Sequence, residues 1–236
     1  MSPPNSAVGI FSAWFELSQL QSGVGITGVS TLFYAQFNNP TNMIAGFGID
    51  LVTRAFKITL TKSPVTSGLQ TSITSSPGSI SSDSQVWNHV LASWDISGGS
   101  FTGSLYINDV LDLSVTTYNS GVVDWSSGNL KRVLNGNGSS PFDRLFHGTV
   151  TDVYVNTQEY LDFSIVSNRR KFITATGGYQ GLYTDGHGPT GNSPSYYFIG
   201  GGSSFIQHGT EFWNESSPAS GSGYYFYGLD FLPNYP

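Results

Sequence analysis

Residues 85–110 constrain the fold most, because their pattern is that of two β-strands joined by a turn. In residues 86–95, large apolar side chains fall on both alternating faces, with Leu91 on one and Trp94 on the other. The chain then turns through a Gly-containing segment and returns as residues 101–110. A strand with two apolar faces is covered on both sides, so we expect protein on each face of this hairpin.

Clusters of Gly, Pro and Asn separate the other β-rich segments of the chain. These segments are residues 10–17, 31–37, 43–51, 55–60, 111–117, 130–134 and 146–156. Many short strands with such turns predict a sandwich of two antiparallel sheets. Alternation within the strands predicts the following core residues: Trp87, Leu91, Leu105, Ile107, Val150 and Val153.

A first resemblance rests on three strand motifs: Trp87-x-His89-Val90, Leu105-Tyr106-Ile107-Asn108 and Phe146-x-Gly148-x-Val150-x-x-Val153-x-Val155. Together they resemble the laminin-G-like branch of the concanavalin A-like lectin and glucanase superfamily, over roughly residues 8–160. The family's usual Asn-Gly hairpin turn is Asn108-Asp109 here. The resemblance implies an all-β fold, a two-sheet antiparallel jelly-roll sandwich.

The end of the chain differs from the sandwich. Residues 164–173 form the single helix candidate, with Ser164 as N-cap and basic residues in the last turn. Residues 174–236 are Gly-rich and dense in aromatic side chains, unlike disordered linkers, and the aromatic run at 196–199 predicts a strand. We therefore expect a flexible arm at 1–7, a lectin-like sandwich at 8–160, and at 161–236 a short helix plus an extension that packs on the sandwich or a partner.

A second resemblance covers three runs at the end of the chain: Tyr160-Leu161-Asp162-Phe163-Ser164, Asn168-Arg169-Arg170-Lys171-Phe172-Ile173 and Asp185-Gly186-x-Gly188-Pro189-Thr190-Gly191. They are similar to the segment that follows lectin-like domains in tailed-bacteriophage virion proteins. The resemblance implies a non-enzymatic capsid decoration, fibre or tail component. Its expected partners are other virion proteins and further copies of itself. It would be assembled in the host cytoplasm, and residues 1–5 lack the features of a signal peptide.

Composition argues against several classes of partner. Charged residues are 10% of the chain, against ~25% in ordinary soluble domains. The net charge is −6 and no basic stripe is present, which argues against nucleic acid. No apolar run approaches the ~20 residues of a membrane span, so we expect no membrane insertion. The chain has no Cys, which excludes disulfides and thiolate chemistry.

The acidic residues do not form a hydrolase motif. Glucanases of the superfamily that the chain resembles carry Glu-x-Asp-x-x-Glu on one strand, and glycoside hydrolysis needs paired carboxylates. The glutamates here are Glu16, Glu159, Glu211 and Glu215, and none has a Glu-x-Asp spacing. We therefore predict no catalytic residues and no enzyme. A glycoside hydrolase is the third-ranked alternative.

Metal and cofactor signals are similarly sparse. The four histidines do not pair at metal-ligand spacing, and without Cys the chain has no structural zinc pattern. His89 is interpreted as a structural histidine with its hydrogen bonds satisfied. No cofactor or metal site is predicted. Calcium is the alternative, bound through the loop residues Asp124, Asp143 and Asp185.

Glycan binding is the alternative function, as an adhesion module for attachment to a host surface. Sugar recognition places ring faces against Trp or Tyr, with carboxylates or amides reading hydroxyls. Candidates lie in or near Gly-rich loops: Trp125, Tyr183, Asp185, Tyr196, Trp213 and Tyr224. The competing interpretation is that these aromatic rings pack the junction with the extension or a subunit interface.

Overall fold

The computed structural model describes residues 3–17, 28–36, 43–64, 69–83, 86–125, 130–133, 146, 148–179, 182, 188–199 and 206–207. Within them the chain forms one short helix and thirteen strands, which confirms the all-β prediction. In chain order the elements are β1 (Val8–Leu17), β2 (Val29–Gln36), β3 (Met43–Asp50), β4 (Phe56–Thr61), β5 (Gln70–Thr74), β6 (Asn88–Asp95), β7 (Thr102–Ile107), β8 (Val110–Leu111), β9 (Ser114–Thr117), β10 (Leu130–Val133), β11 (Gly148–Asn156), α1 (Val166–Arg169), β12 (Tyr196–Ile199) and β13 (Ile206–Gln207).

The strands form two sheets. The seven-stranded sheet has the order β13-β12-β11-β1-β6-β7-β8, and the six-stranded sheet has the order β10-β2-β3-β4-β5-β9. Every neighbouring pair is antiparallel, which confirms the predicted antiparallel sheets. β6 lies between β1 and β7, and both of its faces are buried, as the two apolar faces of its sequence predict.

The main core lies between the sheets and is rich in aromatic rings. Phe11 of β1 stacks on Phe47 of β3 with ring centroids 4.6 Å apart, and Trp94 of β6 packs against the same Phe47 ring at 5.6 Å. All three side chains are fully buried. Burial of each large apolar side chain contributes roughly 1.5–3 kcal/mol, so these rings hold the two sheets together.

Four of the six predicted core residues are confirmed in this core: Leu105, Ile107, Val150 and Val153. The prediction is wrong in detail for the other two. Leu91 is buried, but on the opposite face of β6, where it belongs to a second apolar cluster. Trp87 precedes β6 and is half-buried. The residues of β6 that enter the main core are Val90, Ala92 and Trp94.

Residues 3–7 are held against the sandwich, in contrast to the flexible arm that we predicted. Ser6 and Val123 exchange two backbone hydrogen bonds, of 3.1 and 2.8 Å. Ile96 donates its N–H to the carbonyl of Ala7 at 2.9 Å. The partly buried Ala7 side chain also packs on the main core. Backbone pairing and apolar contact therefore offset the conformational entropy that is lost when this segment is ordered.

The sandwich extends beyond residue 160, where we had placed its boundary. β12 pairs with β11 and adds to the seven-stranded sheet, with Tyr154 opposite Tyr197. Because β12 alternates, Tyr196 enters the main core and Tyr197 lies on the other face. The predicted strand at 196–199 is thus confirmed, and it is an integral part of the sheet.

The predicted strand at 111–117 is two strands in different sheets. β8 pairs with β7 in the seven-stranded sheet, and β9 pairs with β5 in the six-stranded sheet. The change of sheet occurs at Asp112 and Leu113. Asp112 accepts two hydrogen bonds from Ser76, at 2.8 and 2.7 Å, which fixes the crossing.

The helix is shorter than the predicted 164–173. α1 has four residues, its N-cap is Ile165, and no side chain caps it. The predicted cap, Ser164, instead donates its backbone N–H to the Asp162 carboxylate at 2.8 Å. This bond places Ser164 in the turn before the helix, so its role as N-cap is wrong.

Candidate functional site

The face of the seven-stranded sheet that points away from the six-stranded sheet, here called the outer face, concentrates polar and aromatic side chains. Strand register aligns one row across three strands, in which Trp14 lies between Thr151 and His89. The next row of the sheet brings Ser12 beside Leu91 and Tyr154. All of these side chains are buried. The outer face is therefore not a solvent-exposed binding surface.

A segment that follows β11 covers this face. The covering segment, defined as residues 160–179 and 182, buries its apolar members Phe163, Phe172 and Leu182 in the second cluster. Phe172 meets Tyr154 of β11 edge-on, with ring centroids 5.5 Å apart. The other sheet residues of this cluster are Ile10, Leu91, Tyr106 and Tyr197. Apolar contact thus attaches the covering segment to five neighbouring strands, β12, β11, β1, β6 and β7.

Two ion pairs hold the covering segment at the β7–β8 turn. Arg169 Nε lies 2.8 Å from Asp109 Oδ1, and Arg170 Nη2 lies 2.6 Å from Asp109 Oδ2. The Arg169 guanidinium also lies over the Tyr106 ring, 4.6 Å from its centroid. Burial acts to raise the pKa of Asp109, but hydrogen bonds and charge from Arg170 and Arg169 outweigh it and lower the pKa. Arg169 and Arg170 therefore contact this protein's own sheet.

The turn sequence places Asp109 for this role. Asn108 and Asp109 have φ of 51° and 65°, and they join directly paired residues of β7 and β8. Two left-handed residues in a two-residue hairpin correspond to a type I′ turn, which Asn-Asp accommodates less readily than Asn-Gly. Asn108 Oδ1 also accepts a 2.7 Å hydrogen bond from the His89 backbone. Asp in place of Gly supplies the carboxylate that both arginines bind.

His89 lies at the centre of the outer face. Its Nε2 is 3.0 Å from Ser12 Oγ, and its ring stacks on Trp14 with centroids 4.6 Å apart. Burial lowers the pKa of His89 to about 3, although the charge of Asp109 opposes the shift. The imidazole is therefore neutral near pH 7, in line with a structural role. The hydrogen bond predicted for this ring is present at Nε2, whereas Nδ1 has no hydrogen-bond partner among the described protein groups.

Ser12 and His89 do not form a nucleophilic pair. A serine nucleophile needs access to substrate, and its histidine needs an orienting group on the other ring nitrogen. Ser12 is fully buried. Asp109, the carboxylate that acts on His89, is already bound by Arg169 and Arg170. The pair therefore serves packing.

Asp152 is a buried carboxyl at an irregularity in β11. The register between β1 and β11 shifts between Ser12 and Trp14, and Asp152 has a left-handed φ of 51° at this bulge. The Tyr197 hydroxyl donates a hydrogen bond to Asp152 Oδ1. Burial raises the pKa of Asp152, while hydrogen bonds from Tyr179 and Tyr197 act in the opposite direction. This carboxyl links β11, β12 and the covering segment.

Two of the six predicted glycan-binding residues are described. Trp125 and Tyr196 are fully buried in the main core, and Tyr196 lies 5.4 Å from the Phe33 ring. Neither ring has a face open to a ligand. The other four predicted residues, Tyr183, Asp185, Trp213 and Tyr224, lie outside the described residues. Asp143, a candidate ligand in the calcium alternative, also lies outside them. Glycan binding by those four remains a prediction.

The described glutamates have nearby polar partners. Glu16 accepts a 2.9 Å hydrogen bond from Thr149 across the β1–β11 pair. Glu159 accepts hydrogen bonds from Asn156, at 2.8 Å, and from Asn192. Glu211 and Glu215 lie outside the described residues. In the described part of the chain, no group of three or more His, Cys, Asp or Glu side chains is placed to hold a metal ion, and Asp124 is half-buried.

The fold defines the protein as an all-β sandwich whose seven-stranded sheet carries a covering segment. No protein-family model matches the chain. A search of curated proteins finds no significant match either. None of the helices in the described residues is long and apolar enough to span a membrane.

Proposed function

We propose that the protein is a non-enzymatic structural component of a tailed-bacteriophage virion, a capsid decoration, fibre or tail part. In this proposal its sandwich is a concanavalin A-like, laminin-G-like jelly roll. Its partners are other virion proteins and further copies of itself. The observation that carries the proposal is the way the covering segment packs on the sandwich.

The two resembling stretches form one structural unit. Phe163, Phe172 and Ile173, which belong to the motif similar to phage virion proteins, are fully buried. Arg169 of the same motif binds Asp109 at the hairpin of the lectin-like motif. A segment whose motif residues make such contacts has a structural reason to accompany this type of sandwich. This supports treating both resemblances as parts of one kind of protein.

The surface composition also suits a protein that packs against neighbours. Uncharged polar surface loses less solvation energy on contact than charged surface, and charged residues are 10% of this chain. Four apolar side chains are more than half exposed near the Asp109 ion pairs: Val110, Leu111, Ile165 and Val166. Val110 and Leu111 lie on β8, an edge strand of the described seven-stranded sheet. Exposed apolar groups of this kind are typical of contact surfaces.

Locating the chain in purified particles tests the proposal. Antibodies against the purified protein should label particles of the phage that encodes it, and a particle map should show the two-sheet sandwich at repeated positions. Peptides of the protein should also copurify with particles through a density gradient. Absence of the protein from washed particles would contradict the proposal.

A parallel assay addresses the enzymatic alternative. The purified protein is incubated with a panel of β-glucans and bacterial polysaccharides, and products are measured by mass spectrometry. We expect no turnover. Turnover that Glu211→Gln or Glu215→Gln abolishes would identify a hydrolase and overturn the non-enzymatic assignment. Retention on an immobilised glycan without turnover would favour the adhesion alternative.

A further inference from the structure

Among the residues that the structure describes, four buried polar groups on the outer face have no hydrogen-bond partner: Trp14 Nε1, His89 Nδ1, Thr151 Oγ1 and Asp152 Oδ2. These residues are 4%, 1%, 3% and 1% exposed, respectively. Buried polar groups in folded proteins nearly always bind another protein group or an ordered water molecule. Four unpaired groups in one region therefore require an explanation.

The four groups belong to neighbouring positions of the sheet. Trp14 is directly opposite Thr151 on one side and His89 on the other. Asp152 follows Thr151 at the bulge, where the chain is left-handed. Tyr179 of the covering segment meets Trp14 edge-on at 6.0 Å and also hydrogen-bonds the Asp152 carboxyl. The unpaired groups thus lie together beneath one side of the covering segment.

The donor and acceptor types define what can bind here. The Trp14 indole N–H only donates, Asp152 Oδ2 accepts in the ionised carboxyl and can donate in the protonated one, and Thr151 Oγ1 can do both. A metal cation would leave the indole N–H unsatisfied. A neutral ligand that both donates and accepts hydrogen bonds satisfies these groups in either protonation state of Asp152.

The burial of the site limits the size of that ligand. Each of the four residues is less than 5% exposed, so a sugar or nucleotide would have to displace the covering segment. Water has the required size and both hydrogen-bonding capacities, and buried waters typically make about three hydrogen bonds. We propose that ordered water molecules occupy this row and bridge Trp14, His89, Thr151 and Asp152 between the sheet and the covering segment.

Water-selective NMR tests the site in the intact protein. The Trp14 indole N–H, assigned by its loss in Trp14→Phe, should show a direct cross-peak to long-lived water. Trp94 and Trp125 are matched controls, because their indole nitrogens are also buried and unpartnered but lie in the apolar main core. We expect no water cross-peak for either control. Absence of a water cross-peak for Trp14 as well would overturn the proposal.

A pair of nearly isosteric substitutions provides a second test. Thr151→Val removes a hydroxyl that we assign to bound water, and should lower Tm by about 2–4 °C. Thr31 has an equally buried hydroxyl without a partner, but it lies opposite Gly48 and away from the row. Thr31→Val should leave Tm unchanged or raise it. If Thr151→Val raises Tm as much as Thr31→Val does, the Thr151 hydroxyl binds no water and the proposal is contradicted.

Discussion

Gly9 lies directly against the indole ring of Trp94: a Cβ atom on Gly9 would be 2.2 Å from Cζ2 of that ring. The two residues are opposite each other on β1 and β6, the central strands of the seven-stranded sheet. The missing side chain of Gly9 therefore makes room for a fully buried indole ring of the main core.

This contact predicts a steric penalty for Gly9→Ala. The added methyl group would meet three ring atoms closer than 3.0 Å, so the ring or the strand must shift. Overpacking of this kind costs typically about 1–3 kcal/mol of unfolding free energy. Urea unfolding measures it, with Gly99→Ala as control because no atom lies within 4 Å of a Cβ there. Equal stability of the two variants would contradict the packing described.

Trp94→Ala and Trp87→Ala should differ in stability. Trp94 is fully buried between the sheets, and removal of a buried Trp costs about 3–5 kcal/mol. Trp87 is half-buried before β6, so its loss should cost clearly less. Chemical denaturation of both variants gives the comparison. A penalty for Trp87→Ala as large as that for Trp94→Ala would restore the core position expected from the sequence.

Asp109→Asn should loosen the covering segment. The substitution removes the charge that binds Arg169 and Arg170 and should destabilise the protein by about 1–3 kcal/mol. Hydrogen exchange should accelerate in residues 163–173 more than in β1 or β6. Asp83→Asn, at an exposed position, is the control and should leave exchange unchanged. If residues 163–173 exchange at the same rate in Asp109→Asn and in the unmodified protein, the ion pairs do not hold the covering segment.

The buried His89 predicts a loss of stability in mild acid. Its folded pKa is about 3, below the unfolded value of about 6.5, so the unfolded state binds the proton first. Between these two values the unfolding free energy should fall as pH falls, by at most about 1.4 kcal/mol per pH unit.

His89→Gln should remove this contribution, and thermal unfolding from pH 7 to pH 4 measures the difference. The raised pKa of Asp152 makes the unfolding free energy change with pH in the opposite direction. The stability that Asp152 contributes is lost as pH rises through its folded pKa. Asp152 is present in both proteins, so the comparison isolates His89. Identical pH profiles for the two proteins would show that His89 is not buried in the neutral form.

The alternation of residues 86–95 was sufficient to predict a strand covered on both sides, but not which side faces the second sheet. Leu91 and Trp94 lie on opposite faces and are both apolar, so periodicity carries no preference between them. Trp87 shares the face of Leu91 by alternation, which points away from the second sheet, and the strand begins one residue later, at Asn88. There the Asn88 side chain bonds the backbone of residues 81 and 86 and fixes the approach to the strand.

The outer face was harder to predict, because its contacts join distant parts of the chain. Asp109 and Arg169 are separated by 60 residues. The strand at 196–199 was visible from its aromatic residues, whereas its pairing with β11 depends on a long-range register that local patterns do not encode. One local signal was informative. Asp109 occupies a hairpin position that favours Gly, which indicates that its carboxylate has a specific partner elsewhere in the chain.

Limited proteolysis with trypsin tests most directly whether the covering segment and the sandwich form one folded unit. Cleavage after Arg169, Arg170 and Lys171 should be slow in the native protein and should speed up in Asp109→Asn, because buried Phe163 and Phe172 flank these sites. Mass spectrometry identifies the cut sites over time. Cleavage at these sites should occur only together with unfolding of the sandwich. Rapid cleavage that leaves a stable fragment of residues 1–170, with the melting temperature of the intact protein, would contradict it.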